Sequence, residues 1–267
     1  TRRSSDLFVG DLAIEKEKIV QVGGDIGPGE KELDAGGLLV TPGFVDVHTH
    51  YDGQATWDQH LTPTGWHGVT TVVMGNCGVG FAPARPDQHD WLIQLMEGVE
   101  DIPGSALAEG INWDWETFPE YLDALEKFDR SIDIGTQIPH GAVRAYVMGE
   151  RSDQVATPDD IEKMSLIVEE ALGAGALGFT SSRTMLHRAK DGEPVPGTFA
   201  GHDELMSLGR ACGRAGHGVF EISSDFGMGG MHGRFREDVD WMSALSKETG
   251  LPISFILAQA SHHPDEW

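Results

Sequence analysis

Pro42-Gly43-Phe44-Val45-Asp46-Val47-His48-Thr49-His50 is an apolar, β-branched run that ends in two histidines one residue apart. In a strand, residues i and i+2 share a face, so the two imidazoles of His48 and His50 can reach the same metal ion. Two ordinary loop histidines would need no such strand in front of them. Asp46 points the same way as the histidines and reads as support for them rather than as a ligand. Upstream, residues 6–41 break into short strand-like runs at 11–14, 18–22 and 37–40, separated by Gly/Pro turns such as Gly27-Pro28-Gly29, so a small β unit over 1–41 is expected. Downstream the texture changes, and short apolar runs alternate with helical periodicity, the pattern of a parallel βα protein.

Six strands are expected in that second part, at 44–47, 69–74, 132–138, 176–180, 218–222 and 253–258. Between them, Thr157-Pro158-Asp159-Asp160 opens a helix with an N-cap, a proline in the first turn and acids at the positive dipole end. A second helix is read from Asp203 to Ala215 and a third from Glu237 to Thr249, with Gly250 as its stop. From 81 to 130 the rhythm gives way to a long insertion carrying Trp91, Trp113, Trp115, Phe118 and Tyr121, with a helix over 118–128 and a suggestion of an apolar pocket.

Composition narrows the function classes. With 19 Lys+Arg against 43 Asp+Glu, the formal charge is -24 over 267 residues. Such a surface repels phosphate backbones and anionic lipid, so no nucleic-acid and no membrane partner is expected. No run of about eighteen uncharged apolar residues exists. Two cysteines, Cys77 and Cys212, allow no disulfide framework beyond one bridge, and a reducing, cytoplasmic setting is expected. His67, before the second strand on the side away from the histidine pair, reads as structural, and His187 as a loop residue within reach of substrate.

The Pro-Gly-Phe-x-Asp-x-His-x-His run after a small β unit resembles the first barrel strand of the amidohydrolase superfamily. Gly68-Val69-Thr70-Thr71-Val72-Val73-Met74-Gly75-Asn76-Cys77-Gly78-Val79 resembles the second strand of its N-acyl-D-amino-acid deacylase branch, and the likeness runs from about Asp11 to Trp267, the insertion included. The resemblance implies a metal-dependent-hydrolase (β/α)8 TIM barrel, incomplete at about six strands, over residues 42–267. It also implies that Cys77 is a ligand, since a thiolate at a strand end suits zinc. Relatives that hydrolyse cyclic amides use a modified lysine from strand four, and Gly175–Arg183 holds none.

Further positions are carried over with departures. Where the deacylases have Thr-His-Met-Arg after strand five, this chain has Phe220-Glu221-Ile222-Ser223-Ser224-Asp225, so Glu221 is either an oxygen ligand or a hydrogen-bonded carboxylate. Where they have Ser-His-His-Lys, it has Ser261-His262-His263-Pro264, so His262 is a ligand candidate or part of a solvated surface pair. The missing lysine leaves Arg183 to pair with a substrate carboxylate, or to form an ordinary salt bridge. The implied chemistry is hydrolysis of a carbon–nitrogen bond in an N-acyl-D-amino acid, assisted by one or two zinc ions, with a cyclic amide or a non-catalytic metal-binding fragment as alternatives. The family's catalytic carboxylate lies at an eighth strand, so the base is not assigned, and an incomplete chain or a self-associating one is expected.

Overall fold

The computed structural model describes residues 7–224 and 234–256. The chain divides into two units, Thr1–Pro42 and Gly43–Trp267, one residue from the expected boundary. In the first, β1 (Leu12–Glu15) and β2 (Lys18–Val22) pair antiparallel across a turn at Lys16, whose φ is 58°. The strand expected at 37–40 is not formed. Leu38 N–H donates to Ala35 O at 2.9 Å in a turn at Gly37, and Leu38, Leu39 and Val40 lie exposed without a ladder. An apolar run becomes a strand only where a neighbour takes up its backbone groups, and among the described residues none does.

Among the described residues the second unit carries seven strand segments: β3 (Phe44–Asp46), β4 (Val69–Met74), β5 (Asp133–Thr136), β6 (Ile138–Pro139), β7 (Gly178–Ser182), β8 (Val219–Ser223) and β9 (Ile253–Phe255). They form two parallel rows, β3-β4-β5 and β6-β7-β8-β9. β5 and β6 are the one strand expected over 132–138, interrupted at Gln137. Its first half pairs with β4 and its second with β7, and Gln137 N–H reaches Met74 O at 2.9 Å between them. The six expected strands are therefore present in order, and the arrangement is that of a (β/α) barrel, incomplete within the described residues. β3 and β9 are its outer members there. The strand expected at 176–180 starts two residues later, because Ala176 N–H still closes the preceding helix on Ala171 O.

The expected insertion at 81–130 folds as three helices, α1 (His89–Glu100), α2 (Gly104–Gly110) and α3 (Phe118–Glu126). After it come α4 (His140–Met148), α5 (Pro158–Ala174), α6 (His202–Ala215) and α7 (Arg234–Thr249). α5 starts as read: Thr157 Oγ1 accepts from Asp160 N–H, and the Asp160 carboxylate accepts back from Thr157 N–H at 3.0 Å. Its buried face, Met164, Val168, Ala171 and Leu172, follows helical spacing. Gly250, with φ at 75°, follows α7 as expected.

The core joins these layers. Val72, Met74, Ile138, Phe179 and Phe220 from the strands are all 2% exposed or less and pack with Leu205, Leu208 and Leu245 from the helices. Each such side chain contributes roughly 1.5–3 kcal/mol by leaving water. The insertion's aromatics join the same body: Trp115 Nε1 donates to Phe81 O at 2.7 Å, and Tyr121 Oη donates to Asp52 O at 2.7 Å. Among the described residues no helix is long and apolar enough to cross a membrane.

Candidate functional site

Parallel strands bring their C-terminal ends to one side, where the loops that follow can carry chemistry. β3 ends at Asp46, and Thr49 N–H continues the register onto Val73 O at 2.9 Å, which sets His48 and His50 beside the end of β4. Asp46 supports them through the backbone, its Oδ1 accepting from His48 N–H at 3.3 Å. β4 then turns through Gly75-Asn76-Cys77-Gly78, where Gly75, Cys77 and Gly78 have φ of 80°, 59° and 72°. This left-handed path is costly for cysteine and natural for glycine. It is held by Cys77 N–H to Glu221 Oε2 at 3.1 Å, Gly78 N–H to Thr180 Oγ1 at 3.0 Å, and Gly141 N–H to Gly78 O at 2.9 Å.

The result is a cluster. One donor atom from each of His48, His50 and Cys77 lies within 4.8 Å of the others, and His48 Nε2 stands 3.1 Å from Cys77 Sγ. Glu221, in the middle of β8 and 4% exposed, borders it, with Oε1 at 4.0 Å from His48 Nδ1 and Ser223 Oγ donating at 3.4 Å. Glu221 thus keeps both expected roles within reach, as an oxygen donor or as a brace for the Cys77 amide. His262 lies outside the described residues.

Arg183, expected either to meet a substrate carboxylate or to form an ordinary salt bridge, follows the end of β7. It is 7% exposed, and Nη1 donates to Thr198 O and Ala200 O at 3.2 and 2.7 Å, while Nη2 faces Asp238 Oδ1 at 3.8 Å. These contacts tie the loop after β7 to α7. His67 is exposed at the end of a short turn, Thr64–His67, away from the cluster.

Three further residues border the cluster. Glu100, the last residue of α1, places Oε1 at 3.3 Å from His50 Nε2. His187 from the loop after β7 forms a second group with Cys77 and Glu100, again with donor atoms within 4.8 Å. Asp52, 1% exposed, sits two residues beyond His50. The spacing His48, His50, Asp52 is a detectable signal and His187 is the loop residue expected within reach of substrate, whereas Glu100 arrives only through tertiary packing.

Burial sets the protonation of these groups. Burial, with help from the His48 and His187 rings, pushes the His50 imidazole down to about 3, so the ring is neutral as a ligand must be. Burial lifts the Cys77 thiol, with Glu221 adding to it, and lifts Glu221 and Glu100 to about 7 and Asp52 to about 8. A divalent ion reverses this logic by favouring thiolate and carboxylate. His50 Nδ1 is buried and, among the described residues, without a hydrogen-bond partner, an orphaned polar atom that an ion would satisfy. Imidazole, thiolate and carboxylate donors together suit zinc or a similar borderline ion.

A buried network lies outside the cluster. His140, at the start of α4, joins Ser181 Oγ and Glu204 Oε1, each at 2.9 Å, and Glu204 also accepts from the Arg144 guanidinium. His140 is wholly enclosed, so this Ser-His-Glu array braces β7 against α4 and α6 rather than meeting a substrate.

Comparison with known proteins agrees with this architecture. D-aminoacylase of Alcaligenes xylosoxydans xylosoxydans is 34% identical over 173 residues, which cover 64% of this chain and 33% of that protein. N-acyl-D-glutamate deacylase of the same organism is 29% identical over 211 residues, 77% of this chain and 38% of its own. A D-aminoacylase crystal structure, described as defining a novel subset of amidohydrolases, superimposes with a TM-score of 0.71 at 26% identity over 93% of this chain and 47% of the other. Another D-aminoacylase structure, described in terms of a binuclear metal center, gives 0.70 at 26%, over 92% of this chain and 46% of the other. The chain spans about a third of the first relative's length and just under half of the solved chains. The amidohydrolase family model matches residues 31–267, most of the sequence, and the chain belongs to that family.

Proposed function

We propose that the protein hydrolyses the carbon–nitrogen amide bond of an N-acyl-D-amino acid, using a divalent cation, zinc, held by His48, His50 and Cys77. The observation that carries this reading is the convergence of these three donors at the ends of β3 and β4, in a chain 34% identical to a D-aminoacylase. A bound divalent cation supplies a water of lowered pKa and polarises the scissile carbonyl.

The chain's own residues then hold and orient. Asp46 fixes the His48 backbone, and Glu221 fixes the Cys77 amide and stands ready as an oxygen donor. His262 is proposed as a further ligand from the sequence alone. Glu221 and Glu100 are the carboxyl groups beside the cluster at which a proton could be held. Arg183 is proposed from the sequence to pair with the substrate carboxylate, and its guanidinium also anchors the loop that runs to Ala200. We place the protein in the cytoplasm, in keeping with its two unpaired, buried cysteines.

The test is metal content by elemental analysis together with hydrolysis of N-acetyl-D- and N-acetyl-L-amino acids by the purified protein. Bound zinc with D-selective turnover is expected, and both are lost in His48→Ala and Cys77→Ala. Bound zinc with turnover of hydantoins instead would transfer the reading to cyclic amides; zinc with no amide turnover at all would make the protein a metal binder.

A further inference from the structure

We infer that the hairpin after β7, residues 187–195, is a strap over the His48–His50–Cys77 cluster, and that Gly98 of α1 is the positioning residue that seats it. The inference rests on the reading of that cluster as the reacting site and adds to it a device that controls access.

The hairpin is built from its own backbone. Arg188 and Pro194 pair as an antiparallel bridge, Ala189 N–H donates to Glu193 O at 2.8 Å, and Val195 N–H donates to His187 O at 3.3 Å. Gly192, with φ at 90°, lies in the turn at its tip. The base and the tip differ. Val195 is buried, Thr198 Oγ1 donates to Val195 O at 2.7 Å, and Arg183 holds the Thr198 and Ala200 carbonyls, so the returning limb is fixed in place. The tip, 190–193, is exposed. Backbone with so little buried around it opens at low cost unless another element holds it.

The element that holds it is α1. Gly98 lies inside that helix, where glycine is the least favoured residue after proline. A Cβ there would meet Lys190 N and stand 2.5 Å from both Ala189 C and Arg188 O, all backbone atoms of the hairpin. The glycine thus has a packing reason, since it lets the hairpin backbone lie directly on the helix. One residue earlier, the Glu97 carboxylate meets Lys190 Nζ at 2.8 Å. Seated in this way, the hairpin brings His187 to the cluster, where one donor atom each of His187, Cys77 and Glu100 lie within 4.8 Å of one another. Ser182 Oγ, 3.1 Å from His187 Nδ1, holds the ring from β7. With the strap in place Cys77 is 3% exposed, and a substrate reaches the cluster when the strap lifts from Gly98.

The experiment uses the intact protein, stripped of metal so that the Cys77 thiol can react, as wild type, Gly98→Ala, Glu97→Gln and the control Gly173→Ala. Gly173 also lies in a helix, α5, but its new Cβ would have no heavy atom within 4 Å. Two rates are read by mass spectrometry: cleavage by trypsin after Arg188 and Lys190, and alkylation of Cys77 by iodoacetamide, with the buried Cys212 as internal reference. In Gly98→Ala both rates should rise by about tenfold to 100-fold, the range that overpacking gives to an opening equilibrium. Gly173→Ala keeps the wild-type rates, and Cys212 stays unreactive. In Glu97→Gln, which keeps the side-chain shape and removes only the ion pair, both rates should rise by about twofold to fivefold.

Rates in Gly98→Ala equal to those of wild type would overturn the seat. Faster cleavage with Cys77 no more reactive would overturn the strap, since the hairpin would then cover nothing. If Cys212 reacts along with Cys77, or thermal unfolding shows that Gly98→Ala has lost its fold, Glu97→Gln decides, and unchanged rates there would overturn the inference. Neither rate depends on turnover, so a protein that hydrolyses no amide refutes the proposed function while these rates still decide the strap.

Discussion

Replacing Gly78 with alanine tests whether the turn after β4 places Cys77. The Cβ of Gly78→Ala would stand 2.7 Å from Ser182 N and 3.1 Å from Ser181 Cα, both backbone atoms of β7, which cannot swing aside as a flexible side chain would. It would also sit at φ +72°. A left-handed alanine costs about 1–2 kcal/mol, and overpacking against an immovable neighbour about 1–3 kcal/mol more. The control is Gly192→Ala, at φ +90° with no heavy atom within 4 Å of the new Cβ, which carries the first cost without the second. Urea denaturation should therefore find Gly78→Ala less stable than Gly192→Ala by about 1–3 kcal/mol. If the strand and the turn separate to relieve the contact, Cys77 moves with them, and zinc affinity in Gly78→Ala should fall while that of Gly192→Ala stays at wild type. Equal destabilisation by the two substitutions, with equal zinc affinity, would refute the claim that close packing of this turn on β7 positions the sulfur.

Three further outcomes are expected. Glu204→Gln leaves the buried Arg144 guanidinium, whose side chain is 3% exposed, without its anion, at a cost of roughly 3–5 kcal/mol in chemical denaturation; a loss under about 1 kcal/mol would show that the carbonyls of Ser152 and Gln154 suffice for Arg144. The Arg151 guanidinium and the Thr157 amide hold the Asp160 carboxyl below the usual carboxylate range. That depressed acid adds stability above the unfolded value of about 4 and loses it as pH falls through the folded value. The melting-temperature advantage of wild type over Asp160→Asn should therefore shrink from pH 6 towards pH 3, and a gap that stays constant would count against the assignment. Zinc at about 100 times its dissociation constant should raise unfolding free energy by about 2.7 kcal/mol in wild type and leave Cys77→Ala unmoved; an equal rise in both would place the ion elsewhere.

The sequence disclosed those features whose signal is local. His48 and His50 share a strand face by periodicity alone, and Thr157 with Asp160 forms the expected capping box because all its atoms lie within one helical turn. The strand over 132–138 was legible as an apolar run, but not its division at Gln137, since the change of partner from β4 to β7 is a property of neighbours. The apolar run at 37–40 misled for the same reason: it has the composition of a strand and, among the described residues, no ladder to join. α1, α2 and α4 escaped notice because the insertion's aromatics drew the reading towards a loop, and α4 opens with His140, whose burial depends on Ser181 and Glu204, 41 and 64 residues away. Glu100 was hidden likewise, as one acid among many in the chain until helix α1 set it against His50.

The Asn-Cys-Gly triplet shows why a short motif can carry so much of a site. Each residue has a separate mechanical task. Asn76 Nδ2 donates to Thr49 O at 3.0 Å and to Val73 O at 2.9 Å, while its Oδ1 accepts from Gln137 Nε2 at 2.8 Å. One buried amide thereby ties the histidine-bearing end of β3, the end of β4 and the break between β5 and β6. A buried amide with all these partners satisfied is rigid and costly to misplace. Cys77, next in line, takes the left-handed conformation that turns its sulfur to His48, and its amide reaches across to Glu221 on β8. Gly78 then permits the backbone to touch β7 where any side chain would intrude. The donors are thus registered to β3, β4, the β5–β6 break, β7 and β8 by three consecutive residues, which is the physical reason that neither the asparagine nor the glycine is interchangeable even though neither touches an ion. Asn76→Asp makes the sharpest separation of these tasks. It removes the two donated bonds, sets a carboxylate facing the Thr49 and Val73 carbonyls, and leaves the Cys77 thiol in place, so zinc affinity should fall with the histidines displaced. Unchanged affinity would show that Cys77 and the strand ladders register the site without Asn76.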